Sequence, residues 1–506
     1  MRTRHTLTLL AIATACSQPV VSPAPSPVPI PMPAQAPVPA TGERAALSYM
    51  LDSLAASPEF RNAFWGLLVV DPVRGETLYA RNQAKLFTPA SNQKLLTSAI
   101  ALTQLGADYS WQTRLLARGT VRDSVLDGNL LVEGRGDPSV SDHAQGDAMI
   151  PLHALADSLR ARGIRRITGS VLAFGDAFPG PTFGDGWEVD DLDYSYGAPV
   201  DELLLNEGFT SVILTAGART GDSVSVRLSP PVPESIRRID NRTHTRARSD
   251  STTAFQRVSS AVDTLGNSLV LTGELMAGTS DTIEVVHRTP NGAYLAALRR
   301  ALADRGITVV GGGHASTAAA ETVLVTQRSM TLRSVLPLFL KPSQNQLGEL
   351  LFRTLALEKT GVGSADSARV VYERQLKAWG AADDGRMVRD GSGLSRRDKV
   401  SPETLVRVLD AMRRSPDFAL FYASLPIAGV DGTIKRRMRG TSAAGNVHAK
   451  TGTLTGARSL SGYVTTADGQ LLIFSALCNN YTVSTTVVDR LSDALAIRMA
   501  SMRLAH

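Results

Sequence analysis

Apolar residues recur at helical spacing in RAALSYMLDSLAASPEF, from residue 44, and again in TPASNQKLLTSAIALTQLG, from residue 88, where Gly106 is the stop. Between them FWGLLVVDPVRGETLYARN is apolar on both sides of Pro72-Val73-Arg74-Gly75 and predicts a hairpin. From about 112 to 284 the pattern changes to short alternating runs such as SVLDGNLLVEG, TSVILTAG and SLVLTGEL, broken by Gly, Asp and Pro. One amphipathic helix, PLHALADSLRARG, interrupts them, and the polar stretch 232–258 reads as loop. Helical periodicity returns from about 285 in AYLAALRRALADRGI, LRSVLPLFLKPSQNQLGELLFRTLALE and SPETLVRVLDAMRRS. The end is strand-like (AAGNVHAKTG, ARSLSGYVTTADG, QLLIFSALCNN) and closes on the helix TVVDRLSDALAIRMASM. Residues 43–111 and 285–506 therefore predict one α/β (α+β) unit, and 112–284 a β-rich insertion of one or two modules.

Composition narrows the class. The 506 residues suggest two to four domains, and 43% hydrophobic with 20% charged residues is ordinary for a globular protein. The net charge of +6 comes from 53 basic against 47 acidic residues, with no basic run and little aromatic interleaving, so no nucleic-acid partner is indicated. Residues 1–16 have Arg2 and Arg4, then an apolar core, then small residues before Cys16, the pattern of an export signal. Ala13-Thr14-Ala15-Cys16 resembles a lipoprotein box, in which Cys16 is lipidated and holds the chain to a membrane; the alternative is plain cleavage after Ala15. Residues 17–42 are proline-rich and read as an extended spacer. An exported, periplasmic protein is expected. Cys478 lies in an apolar run and reads as a buried thiol.

The basic residues are 45 arginines and 8 lysines. Arginine cannot serve as a base, so each lysine invites a question. Lys94 follows Ser91 by three positions, which puts hydroxyl and amine on one helix face, the arrangement of a serine nucleophile with a lysine base. Ser343-Gln344-Asn345 offers a second hydroxyl and an amide, or else a helix cap. Lys450-Thr451-Gly452-Thr453 sits in strand-like sequence. There Lys450 can bind a carboxylate, Thr451 and Thr453 can hydrogen-bond it, and Gly452 allows close backbone approach. The backbone N–H groups of Ser91 and Thr453 make a candidate oxyanion hole. A second Lys-Thr-Gly, at 359–361, reads as a helix C-terminus with a glycine stop. Asp390-Gly391-Ser392-Gly393-Leu394-Ser395-Arg396 is a glycine-rich turn, read as a rim that touches substrate or as a structural loop.

Ser-x-x-Lys, Ser-x-Asn and Lys-Thr-Gly in this order mark the penicillin-recognising serine enzymes. Together with LDGNLLVEGRGDPSVS, GWEVDDLDYSYGAPVDELLLNEG, DGSGLSRRDKVSP, LPIAGVDGTIKRRM and AKTGTLTGARSLSGYV, the chain from about 45 to 503 resembles the D-alanyl-D-alanine carboxypeptidase/endopeptidase family of class C low-molecular-mass penicillin-binding proteins. The resemblance implies a β-lactamase/transpeptidase-like domain, with two extra β-rich domains inserted between the first two catalytic motifs. It implies peptidoglycan stem peptides as substrates, covalent capture of β-lactams, and no metal or other cofactor. Ser91 would be acylated and Lys94 would be the base, its amine lowered by Lys450 and by partial burial. Ser343 would pass a proton to the leaving amine, Asn345 would hold Lys94 or the substrate, and Lys450, Thr451, Gly452 and Thr453 would form the carboxylate site. Asp191 with Tyr196, and Arg396, would grip a diaminopimelate end, with Asp190 as competitor for the acidic role. Gln344, at the middle of Ser-x-Asn, occupies a position the family varies.

Other chemistries find less support. The eight histidines are scattered and no Gly-x-Ser-x-Gly elbow is present, against a Ser-His-Asp hydrolase. His448 shares a strand with Lys450 and either lines the site or sits on the strand surface. A β-lactamase or esterase on the same fold, and a non-catalytic cell-wall binding module, are the rival readings.

Overall fold

A computed structural model describes residues 42–231, 238–247, 259–262, 268–311 and 321–504. Cys16, most of the proline-rich stretch and much of 232–258 lie outside these residues.

Segments from the two ends of the described residues share one five-stranded antiparallel sheet. Its order is His448–Leu454, Ala457–Thr465, Leu471–Asn479, Phe64–Asp71, Glu76–Arg81. Phe64–Asp71 pairs with Leu471–Asn479 from Phe64↔Asn479 to Val70↔Ile473. Successive side chains of a strand point to opposite faces, and here both faces are covered. Trp65, Leu67 and Val69 pack with the helices Glu43–Ala55 and Thr485–Ser501. Leu68 and Val70 pack with Gln93–Leu105, Leu332–Leu340, Asn345–Thr360 and Pro402–Arg413. Burial on both faces is why this strand reads as an unbroken apolar run rather than an alternation. Each side chain buried this way stabilises the fold by about 1.5–3 kcal/mol.

Gln93–Leu105 is buried all round from Gln93 to Leu102. Its polar side chains must then be satisfied inside the protein. Thr97 Oγ1 donates to the Gly391 carbonyl at 2.6 Å, Gln93 Nε2 to the Asp390 carbonyl at 3.3 Å, and Ser98 Oγ to the Lys94 carbonyl at 2.6 Å. Two of these bonds clamp the glycine-rich turn onto the helix.

The insertion carries a six-stranded sheet built on Ser110–Arg122 and Val125–Glu133, with helices Met149–Ala161 and Pro290–Asp304 sharing its core. Thr322–Thr331 pairs with Ser110–Arg122, so this layer runs on well past residue 285. The boundary expected at 284/285 therefore falls inside the unit, because the helix after it buries Ala293, Leu298 and Leu302 against the inserted sheet. Nested within it, two three-stranded sheets between Phe209 and Val286 enclose a small core of Val212, Leu214, Leu269 and Leu271. Arg238–Arg246, expected as loop, is one of these strands, in parallel register with Ser268–Met276. Thr243, Thr245 and Arg246 take the buried positions there, which hid the strand from a reading of apolar periodicity.

Candidate active site

Ser91 sits in the tight turn Ala90–Asn92 that leads into its helix, and Ala90 before it has a φ of +49°, in the left-handed region that L-residues avoid. Two neighbours hold this turn. The Ser459 hydroxyl donates to the Pro89 carbonyl at 2.8 Å, and Asn92 Nδ2 donates to the Lys450 carbonyl at 2.8 Å. The strand that carries Lys450 thus lies directly against the Ser91 turn. Only glycine fits between them: a Cβ at Gly452 would stand 2.2 Å from Ser459 Oγ, 2.6 Å from the Pro89 oxygen and 2.9 Å from the Ser91 nitrogen.

Lys94 is fully buried. Its Nζ lies 2.9 Å from Ser91 Oγ, 2.6 Å from Asn345 Oδ1 and 2.6 Å from the Ser392 carbonyl. Burial pulls the amine down to about 7, against the opposing pull of Asp390, Glu349 and Asp398. The residue resemblance implied partial burial and Lys450 as the causes. Burial is in fact complete and dominant, and the repulsion between the two amines is felt at Lys450. That amine is driven well below its ordinary range by burial first, then by Lys94 and Arg458.

Lys450 Nζ lies 2.8 Å from Ser343 Oγ and 2.9 Å from the Thr451 carbonyl. Ser343 has a φ of +70°. It is not the helix cap: Gln344 is, its Oε1 accepting from the Gln346 N–H at 2.8 Å. Asn345 opens the helix, and its Nδ2 donates to the Tyr196 carbonyl at 2.9 Å, which turns Oδ1 towards Lys94. Ser91, Lys94 and Asn345 thus form one hydrogen-bonded group and Ser343 with Lys450 a second, although Lys450 follows Ser91 by most of the chain's length. The arrangement supplies a hydroxyl beside an amine of near-neutral basicity, and a second hydroxyl beside a second amine.

A model of the D-Ala-D-Ala carboxypeptidase 3 (S13) family matches residues 47–502. The chain belongs to this family. As a member of the S13 family it is a D-Ala-D-Ala carboxypeptidase, a hydrolase. It is 34% identical over 473 residues to a D-alanyl-D-alanine carboxypeptidase of Actinomadura sp. (strain R39), covering 89% of this chain and 84% of the relative. To the D-alanyl-D-alanine carboxypeptidase DacB of Haemophilus influenzae it is 28% identical over 410 residues, covering 79% and 82%. The crystal structure of penicillin binding protein 4 (dacB) from Haemophilus influenzae has the same fold, with a TM-score of 0.73 at 24% identity over 89% of this chain and 99% of that one.

A cleft of about 720 Å³ opens over Ser91 in this S13 carboxypeptidase, lined also by Ser343, Asn345, Thr451, Gly452 and Thr453. Asp191, Tyr196 and Arg396 form another part of its wall. Asp191 is buried, accepts from the Tyr196 hydroxyl at 3.1 Å through Oδ1, and leaves Oδ2 without a partner. Asp190 is exposed and is not part of the wall. Arg396 pairs with Glu188 and donates to the Thr455 carbonyl at 3.2 Å.

One expectation needs correction. His448 is buried rather than on a strand surface: it stacks on Tyr422 at 3.8 Å, and its Nδ1 faces the Tyr422 carbonyl at 3.0 Å. The turn Asp390-Gly391-Ser392-Gly393-Leu394-Ser395-Arg396 divides between the two readings: Asp390 and Ser392 are fully buried, while Gly393, Leu394 and Arg396 reach the cleft. Sequence reasoning also missed Thr433, whose hydroxyl lies 2.7 Å from that of Thr451 on the cleft wall. It missed Glu349 as well, which stands four residues after Asn345 on the same helix face and was open to discovery by that spacing.

Proposed function

We propose that Ser91 forms the acyl-enzyme of this carboxypeptidase and that Lys94 is its base. Lys94 Nζ takes the Ser91 hydroxyl proton as Oγ bonds the carbonyl carbon of the penultimate D-Ala. The backbone N–H groups of Ser91 and Thr453 receive the oxyanion, a contribution typically worth 10²–10³-fold per donor. Ser343 passes a proton to the departing amine, Asn345 holds Lys94 in line, and water then releases the acyl group. A β-lactam takes the place of the peptide, acylates Ser91 and leaves slowly. Peptide cross-links are cleaved by the same steps, which makes the enzyme an endopeptidase as well.

The observation that carries this reading is a buried amine of near-neutral basicity 2.9 Å from the Ser91 oxygen. An amine held at about 7 is half free at neutral pH and still basic enough to accept the proton. Lys94→Arg keeps the positive charge but removes the base, and is expected to slow penicillin acylation about 10²–10⁴-fold. Mass analysis should place the penicillin on the Ser91 peptide and find none on Ser91→Ala. Near-normal acylation of Lys94→Arg would remove Lys94 from the mechanism.

Lys450, Thr451 and Thr453 bind the substrate's terminal carboxylate, and Asp191, Tyr196 and Arg396 grip a diaminopimelate end. The orphaned, buried Asp191 Oδ2 on the cleft wall supports the second assignment. Digestion of monomeric and cross-linked muropeptides ranks the two activities. Asp191→Asn should raise KM for diaminopimelate peptides more than it lowers kcat. Residues 1–16 support export to the periplasm with lipid attachment at Cys16, which palmitate labelling with Cys16→Ala tests.

A further inference from the structure

Asp390 is fully buried behind Lys94, and the mechanism so far gives it no task. Four donors converge on its carboxyl. The Gly393 N–H reaches Oδ1 at 2.6 Å, while Oδ2 accepts from the Ser395 N–H at 2.7 Å, Trp187 Nε1 at 2.9 Å and the Ser392 hydroxyl at 3.2 Å. Both carboxyl oxygens therefore accept hydrogen bonds, and the Asp398 carboxyl is hydrogen-bonded to the same group. The Gly393 N–H and the Ser392 carbonyl belong to one peptide group, and that carbonyl accepts from Lys94 Nζ at 2.6 Å. Hydrogen bonds at the two ends of an amide polarise each other, so an acceptor on the N–H leaves the carbonyl oxygen more negative. Lys94 is therefore coupled to Asp390 through a single peptide. The turn can reach this position because residue 393 is glycine: its φ is +81°, and a Cβ there would stand 2.0 Å from the Ala90 oxygen.

We propose that Asp390 is a positioning residue for the carboxypeptidase reaction: through the Ser392–Gly393 peptide it aims and strengthens the backbone acceptor of the Lys94 amine, and Trp187 of the inserted region steers its charge. The proposal rests on the reading of Lys94 as base. As the Ser91 proton arrives on Nζ, a positive charge develops where little water reaches, and a polarised carbonyl at 2.6 Å offsets it. Three other groups face Lys94. Lys450 stands on the neighbouring strand. Glu349 accepts from the Gly391 and Ser392 N–H groups at 3.0 and 2.9 Å, and Asp398 accepts from the Arg389 N–H at 2.6 Å. Burial first, and then the Asp390 carboxyl, push the carboxyls of Glu349 and Asp398 up, towards their neutral forms, Asp398 through a hydrogen bond to Asp390 as well.

The test follows acylation of the full chain by a fluorescent penicillin against pH, with a melting curve for every variant. The unaltered chain should gain rate as pH rises through about 7. Asp390→Asn should move this limb to lower pH and cut the plateau rate about tenfold, since Lys94 becomes a weaker base with a less supported cation. Trp187→Phe should move the limb the other way, by less, because losing a donor at Oδ2 returns charge to Oδ1. Glu349→Gln should move it least. A limb unmoved by Asp390→Asn, or one that fails to rise in Trp187→Phe, overturns the proposal; if Asp390→Asn does not fold, the Trp187→Phe limb decides alone. Should Lys94→Arg abolish acylation while the limb ignores Asp390 and Trp187, only this inference is lost. Should Lys94→Arg acylate normally, it is the base assignment that fails.

Discussion

The chain holds the tripeptide Lys-Thr-Gly twice, and the two copies share almost nothing else. At 359–361 it ends the helix Asn345–Thr360 in solvent. Gly361 takes a φ of +80°, its N–H caps the Leu357 carbonyl at 2.9 Å, and the Thr360 hydroxyl turns back to the Ala356 carbonyl. At 450–452 it lies on an edge strand, where Lys450 is fully buried and bonded to Ser343, and Gly452 is pressed against the Ser91 turn. Both glycines are needed, for opposite reasons. Gly361 supplies a backbone conformation and has open space around it; Gly452 supplies the space itself. The chemistry therefore belongs to the environment and not to the tripeptide. Sealing the Lys450 amine beside a second amine is what makes its basicity adjustable.

Paired substitutions test that contrast. The largest difference is expected between the lysines. Lys450→Ala should cut kcat/KM for a D-Ala-D-Ala peptide by about 10²–10³-fold, the usual cost of removing one partner of a buried charged pair. Lys359→Ala should leave both rate and melting temperature where they were, as exposed substitutions away from special features normally do. Equal losses in the two would dissolve the distinction. The glycines come next. Gly452→Ala forces a Cβ to within 3 Å of backbone atoms that belong to the Ser91 turn, so penicillin acylation should fall sharply, along with about 1–3 kcal/mol of stability. Gly361→Ala should cost about 1 kcal/mol for its left-handed backbone and nothing in catalysis. Denaturant melts combined with acylation rates separate the two effects.

The smallest effect is a proton. Burial and Lys94 hold the Lys450 amine low in the empty site, and an arriving carboxylate raises it again, so binding should take up protons. Calorimetry of a D-Ala-D-Ala peptide on Ser91→Ala, in two buffers of different ionisation heat, measures that uptake. Proton release, or none, contradicts the proposed carboxylate site. Lys359, in solvent, should contribute nothing to either reading.

Much of this was legible in the sequence because it is local. A serine and a lysine three apart on a helix must share a face, and an apolar run broken at Pro72 must turn back on itself. What escaped depends on distant partners. Asp390-Gly391-Ser392-Gly393 has the composition of an exposed turn, and its burial is decided by Gln93 and Thr97 on a helix far upstream. Periodicity in Pro290–Asp304 reveals an apolar face but not which sheet will cover it, so the insertion's end was drawn too early. Arg238–Arg246 is a strand whose buried positions are Thr243, Thr245 and Arg246, none of them apolar, and its parallel neighbour marks it as one. His448 was placed by alternation alone, which cannot foresee the Tyr422 ring stacked over it.

The pairing of Phe64–Asp71 with Leu471–Asn479 has a consequence for biosynthesis. A polypeptide made and exported from its N-terminus presents Ser91 early, but the strand that shapes the cleft and the one that anchors it to Phe64–Asp71 come close to the end. Until they emerge, Lys94 has no sealed interior to lower its basicity, and the serine is as inert as any in water. A product that stops before Leu471–Asn479 lacks the partner strand of Phe64–Asp71 and cannot complete the five-stranded sheet.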